Sequence, residues 1–260
     1  MKGIFLFLIL FSTLIAKQSI FLEFGYNNLR MEDLNDFLEK QVNSAKNTFS
    51  SIGIEPNTTL VKVEKANSFE VGFIFDYTKN LKFLISCEYL EVNDFGWKIN
   101  SSGVWFLAPY EIDIRLDLRS FVTTPYLGVI YELTKDKIRL SPCIFVGYAF
   151  GELKGDFKNY TKLGNQTTDY KKDIEASGEN LTLKLKVLLD FSFSKTTSLN
   201  LSFGYRVKNI PEFKYKKDVD INNDGTITKE QDLIKGEPIE DKETSDVVKF
   251  DYSGIFLSLG

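Results

Sequence analysis

Histidine is absent from all 260 residues. This removes the side chain whose ordinary pKa suits proton transfer near neutral pH, and with it every Ser–His and Asp–His mechanism. No acidic pair stands apart from structural carboxylates, so the chain reads as non-catalytic. Cysteine occurs twice, at Cys87 and Cys143, too rarely for the disulfide framework of a secreted domain. Both fall on non-neighbouring strands and opposite faces, which predicts two unpaired thiols. A net charge of -4 with well-mixed signs leaves no basic footprint for nucleic acid. Long hydrophobic runs are also missing. The only one, Ile4 to Ile15, follows Met1-Lys2 and ends at Ala16, and is shorter than the roughly 20 residues of a transmembrane helix. It reads as a secretory signal peptide over residues 1–16, with the mature chain from 17 to 260.

What the chain has in abundance is aromatic residues, 23 Phe and 12 Tyr against two Trp, set in alternating strands. In LTLKLKVLLDFSF, Leu181, Leu183, Leu185, Val187, Leu189, Phe191 and Phe193 take the odd positions, and Leu188 alone interrupts the polar even ones. LNLSFGYRVK alternates likewise, and the short connector 194–198 makes the two a hairpin. Further strands are expected at 19–26, 68–77, 81–92, 123–133, 138–150 and 247–260, with an irregularity at Pro142 and a bulge at Gly254 where the parity shifts. Tyr110 to Leu118 alternates too and is expected to extend a strand beyond the others.

Connections alternate in length. Long ones span about 27–66, 93–121, 151–180 and 209–246, and short ones 78–80, 134–137 and 194–198. An up-and-down arrangement therefore gathers all long loops at one end. In the first long loop, Leu34, Phe37, Leu38, Val42 and Ala45 recur at helical spacing behind Glu32 and Asp33, predicting a short helix near 31–47 that caps the mouth.

The polar face of these strands carries Glu23, Glu70, Asp76, Lys82, Glu88, Glu132, Arg139, Lys184, Lys186, Asp190 and Arg206, with glycines at 25, 72, 128, 147 and 204. Small residues and charges of both signs suit a narrow interior better than a soluble surface. Tyrosines at 26, 77, 89, 131, 148, 205 and 252 lie toward strand ends, as interfacial girdles do. The apolar face is then expected outward, against lipid.

By this pattern, and by the ending Tyr252-x-Gly254-x-x-Leu257-x-Leu259, the chain resembles the bacterial outer-membrane β-barrel superfamily, in its small eight-stranded OmpA-barrel, OmpX and OmpW type. It departs from the usual bacterial ending in closing on Gly260 rather than an aromatic residue. The resemblance implies an all-β, eight-stranded antiparallel transmembrane barrel. It would be a monomer in the cell outer membrane, inserted with periplasmic chaperones and the barrel-insertion machinery. Its role would be structural or interactive, through surface loops that meet a ligand or another cell. An interior just wide enough for side chains favours a salt-bridged, plugged lumen. Passive transport of small solutes is the first alternative, and a secreted soluble lipocalin-like binder the second.

One loop carries metal chemistry. Asp220-Ile221-Asn222-Asn223-Asp224-Gly225-Thr226 resembles the EF-hand and dockerin calcium loop, with oxygens at Asp220, Asn222 and Asp224, a sharp turn at Gly225 and the Thr226 carbonyl. The position normally filled by a bidentate acid is Gln231, so Glu230 or Asp232 would have to swing in. Calcium at residues 220–232 is the cofactor this implies; an ordinary polar turn is the other reading.

Overall fold

The structure, a computed structural model, describes residues 18–133, 138–194, 197–229, 231–241 and 244–260. The expected leader, the 134–137 turn, residues 195–196 of the 194–198 connector and Glu230 lie outside the described residues.

Eight antiparallel strands form one sheet that returns on itself as a ring: β1 (Gln18–Asn28), β2 (Lys65–Asp76), β3 (Leu81–Trp105), β4 (Ala108–Tyr131), β5 (Ile138–Leu163), β6 (Gln166–Ser192), β7 (Ser198–Val207) and β8 (Gly254–Leu259). Each strand pairs with the next in this order, and β8 closes against β1 over a short seam from Phe24↔Leu259 to Asn27↔Phe256.

Tyr110–Leu118 does extend a strand, as expected, but the rest of the connections expected at 93–121 and 151–180 is also largely strand, the far halves of very long strands. β3 to β6 run 25, 24, 26 and 27 residues. Their polarity inverts midway, which is why a single alternating pattern does not extend along them. On the outward row of β5, exposed Ile144, Val146, Tyr148 and Phe150 give way to Glu152, Lys154, Asp156 and Lys158. On β6, Lys171, Asp173, Glu175 and Glu179 precede Leu181, Leu183, Leu185 and Val187; on β4, Asp113, Arg115, Asp117 and Arg119 precede Phe121, Leu127 and Val129. The inward row changes the opposite way. Ile112, Leu116, Leu118, Leu153, Ile174 and Ala176 are buried beyond the switch, while Thr124, Ser141, Thr182, Lys184 and Lys186 are buried before it. The register puts Phe121 beside Glu91 and Glu152, and Phe150 beside Glu179, so the strands switch at one level.

β3 adds a bulge there. Its register to β4 shifts between Val92 and Phe95, with Asp94 at φ 54° and Gly96 at φ 137°. A side chain at Gly96 would run into the Leu116 carbonyl, so only glycine fits. The extra residue flips the parity and turns Phe95, Trp97 and Ile99 inward.

Beyond the switch the inner face is a second, apolar core. Helix α1 (Glu32–Ser51) lies on it through Leu34, Leu38 and Val42, one face at helical spacing. It is longer than the expected short helix. The 209–253 segment folds over the same end in two-residue pairings: Asn209–Ile210 with Phe250–Asp251, Lys214–Tyr215 with β6, and Glu240–Asp241 with Asp246–Val247. The last ring strand thus starts at Gly254 and not at Val247. The bulge expected at Gly254 is absent. Phe250↔Ile210, Asp251↔Asn209 and Gly254↔Arg206 keep one register, and Phe250, Tyr252, Gly254 and Phe256 are all buried, so the apolar residues change rows there without a change of parity. Gly254 packs against the Asn28 carbonyl. Tyr252 is a correction: it is buried and shares a hydrogen bond with the Ser120 hydroxyl, so it belongs to no exposed girdle. At Pro142 the register to β6 passes unshifted, whereas the ladder to β4 ends next to it at Ile130↔Cys143. Cys87 is exposed and Cys143 buried, both unpaired.

Candidate functional site

The interior of the ring before the switch is filled from four cross-strand pairs of one kind. Phe21 sits opposite Gly72, Tyr126 opposite Gly147, Phe145 opposite Gly128, and Phe256 opposite Gly204. Each ring covers its glycine so closely that a Cβ there would meet the aromatic carbons, the arrangement by which an aromatic compensates a strand glycine. The inward glycines therefore make room for a tier of inward aromatic rings.

Into this aromatic tier reach seven buried charged side chains. Lys184 Nζ lies 2.6 Å from Glu70 and 3.0 Å from Glu88. Lys186 Nζ lies 2.9 Å from both Glu23 oxygens. Glu88 Oε2 also accepts from Arg206 and Lys208, each at 2.7 Å. Three carboxylates thus meet four cations. Ser86 donates to Glu70 at 2.6 Å and Ser258 to Glu23 at 3.1 Å. The rings supply the remaining attraction: Lys184 lies 4.9 Å from the Phe256 centroid, Lys186 5.1 Å from Phe145, Arg206 5.3 Å from Phe256 and Lys208 5.6 Å from Tyr126. Lys184 is 1% exposed, and such a charge is tolerable only when paired and hydrogen-bonded.

A second cluster sits toward the tight-turn end. Lys82 lies 2.5 Å from Glu132 and 3.4 Å from Asp76. Arg139 reaches Asp190 at 2.5 Å, Glu132 at 3.6 Å and the Ser192 hydroxyl at 3.0 Å. Between the clusters lies an apolar plug of Phe21, Leu84, Tyr126, Ile130, Cys143, Phe145 and Leu188. Leu188, the one break in its strand's alternation, is thus an interior plug residue. All eleven charges expected on the polar face join these two clusters. Lys208, which continues the β7 alternation past Val207, completes the first and was not among them. The plug, built from apolar residues at polar-face positions, had no signal beyond the glycines opposite.

The 220–232 turn is held by its own side chains. Asp220 accepts backbone N–H groups from Asn223 at 2.6 Å and Gly225 at 2.9 Å, and Asp224 accepts from Thr226 at 2.8 Å. Asn222 donates to Asp224 at 2.9 Å and to the Gln231 carbonyl oxygen at 2.6 Å. Asp232, an acid expected to swing in, is buried, and its two oxygens take the N–H groups of Ile221 at 2.7 Å and Thr228 at 2.8 Å. Among the described residues no group of three or more acidic, His or Cys side chains gathers for a metal. Among the described residues, the oxygens that could hold calcium are those of Asp220, Asp224, Asn222, Gln231 and the Thr226 carbonyl, a low-charge shell.

At the far tip of the β3–β4 hairpin, Phe106 and Leu107 are 83% and 97% exposed, both at positive φ, 45° and 65°. Left-handed backbone is costly for such side chains, and the ten residues Ser101 to Tyr110 carry no charge. The Trp105 indole N–H anchors the tip to the Ile52 carbonyl at 2.6 Å. Comparison with protein-family models, curated proteins and solved structures finds no match to this chain.

Proposed function

We propose that this is a non-catalytic β-barrel of a bacterial outer membrane, exported by its leader, with a packed lumen and a strand-built projection that makes surface contacts. The observation that carries it is the inversion of polarity along single unbroken strands. A soluble sheet keeps its apolar row inside along its whole length, and exposed apolar patches rarely exceed a few hundred Å². Here the outward row is apolar over one half and charged over the other, as it would be where a strand leaves lipid for water. The apolar outward stretch of β4, Phe121–Tyr131, matches the roughly 9–11 residues a tilted strand needs to cross. Tyr26, Tyr89 and Tyr148 lie toward one margin of the band and Tyr77 and Tyr131 toward the other, all exposed. The Phe24–Asn27 seam closes the ring between the last strand and the first, and a closed sheet is the form that strands take in lipid.

The filled interior supports a plugged lumen over passive transport, and its buried charges are the reverse of a lipocalin-like cavity. Contact with a ligand or another cell is assigned to the uncharged β3–β4 tip. The 220–232 turn is proposed as a weak site for external calcium. The test is membrane fractionation followed by heat-modifiable migration in detergent. Recovery with outer membranes and a compact unheated band are expected; a chain that folds and stays in the aqueous phase without detergent sinks the reading.

A further inference from the structure

The β3–β4 tip is a two-residue hairpin turn: Trp105 pairs with Ala108, and Phe106 and Leu107 lie between them. Both hold left-handed backbone, in a form of turn that Asn-Gly or Gly-Gly ordinarily fills. Bulky side chains are strained there, and these two also stand exposed in water. Each feature costs the free chain stability, and such outliers persist where function uses them. The surroundings of the pair are apolar and neutral. No charge falls between Ser101 and Tyr110. The β5–β6 tip packs alongside, with the Gly164 N–H donating to the Pro109 carbonyl at 2.8 Å, and brings exposed Leu163 to the same end. Ile52, whose carbonyl holds the Trp105 indole, is exposed there as well. The first charges behind the tip on β4 and β5, Glu111 and Lys162, are register partners of opposite sign.

We propose that this tip docks on a second, facing lipid bilayer of zwitterionic character, inserting Phe106 and Leu107 among the lipids. Trp105, its ring 4.7 Å from that of Phe106 between centroids, and Tyr110 are the residue types that sit at headgroup level behind inserted apolar groups. A stable protein partner takes about 800 Å² from each side, more than a few protruding side chains offer, whereas insertion into lipid needs neither that area nor a matching pocket. From Ala108 to Phe121, where β4 enters its apolar band, the strand covers roughly 40 Å at about 3.3 Å per residue. The tip therefore stands clear of the bilayer that the ring itself would occupy. The proposal names the partner for the contact already assigned to this tip and rests on that reading.

The test reconstitutes the full chain into phosphatidylcholine vesicles loaded with dense sucrose, adds light, fluorescent, protein-free phosphatidylcholine vesicles, and sediments the mixture. Light vesicles are expected to come down with the dense ones, saturably and equally at low and high salt. Phe106→Asn combined with Leu107→Gly suits the turn, so the compact unheated band should remain while capture falls about tenfold. Should that variant fail to fold, the native tip is read by brominating the light vesicles alone. Tryptophan emission should then be quenched, because Trp105 is at the tip whereas Trp97 is buried. No capture by the native chain, no quenching, capture that survives the double variant or is abolished by salt, or capture only when the light vesicles also carry the chain each overturns the proposal. The unheated band of the same samples reports the barrel separately, so a failed tip leaves that reading standing. A chain that stays aqueous is floated directly with the light vesicles, where the same outcomes apply.

Discussion

At the residue scale the interior works by neutralisation, and its charges are interdependent. Lys186 sits between both oxygens of Glu23 and over the Phe145 ring. Lys186→Met leaves the Glu23 carboxylate buried with only Ser202 and Ser258 donating to it, which should cost about 3–5 kcal/mol of unfolding free energy. Glu23→Gln combined with Lys186→Met removes both charges and should return most of that loss. Urea titration in detergent reads the cycle, and additive single losses would show that the pair is not coupled. The calcium turn behaves differently because its oxygens already accept backbone donors. Calorimetric titration should give heat only in the millimolar range, and Asp224→Ala should abolish it; no heat in the native chain removes calcium from the account. The charges were legible in the sequence because alternation assigns them one face. The fate of Asp232 was not, since its bonds to Ile221 and Thr228 are set by how the turn closes.

At the element scale, the strands before the polarity switch could be read from period two alone, but of the halves beyond it only Tyr110–Leu118 could. In 151–180 the alternation carries charged residues outward and a mix of Leu, Gly, Phe, Ile and Ala inward, which looks like a polar loop when read with the sense of the neighbouring Leu181–Phe193. In β3 the bulge at Asp94 breaks the parity as well. Helix α1 was legible because Leu34, Leu38 and Val42 keep their spacing, although its last turn, at Phe49, lies past the expected end. The switch predicts an energetic gradient along β6. Leu185→Arg places a charge near the middle of the apolar band and should cost about 2–4 kcal/mol, whereas Glu179→Arg, at the margin, should cost about 0–1 kcal/mol. Folding titrations into bilayers of both variants check this; equal costs at the two positions would mean that no lipid boundary falls between them.

At the scale of the whole molecule, two cores of opposite sense share four continuous strands: a charged interior inside an apolar wall, and an apolar interior inside a charged wall. The first is closed by its own ring, while the second is covered by pieces brought from elsewhere in the chain, α1 and the 209–253 segment. The cover should therefore be the less stable part, because local opening follows the sparser packing. Its attachment to the sheet is partly electrostatic. Lys216 lies 3.0 Å from Glu152 and Lys217 3.3 Å from Glu175, and the hydrogen bonds from Lys216 and then Lys154 hold the Glu152 carboxyl below its ordinary range. A carboxylate whose folded pKa is depressed stabilises the fold above its unfolded value of roughly 4.3, and that contribution is lost as pH falls through the lower folded value. Acidification should therefore loosen the cover before it affects the ring. Hydrogen exchange, corrected for intrinsic rate, should show the Tyr215 and Lys216 amides losing protection between about pH 5 and 3, while Leu183 to Val187 keep theirs. Glu152→Gln should flatten that dependence. Protection that falls equally in cover and ring, or a pH response unchanged by Glu152→Gln, would separate the cover's stability from this contact.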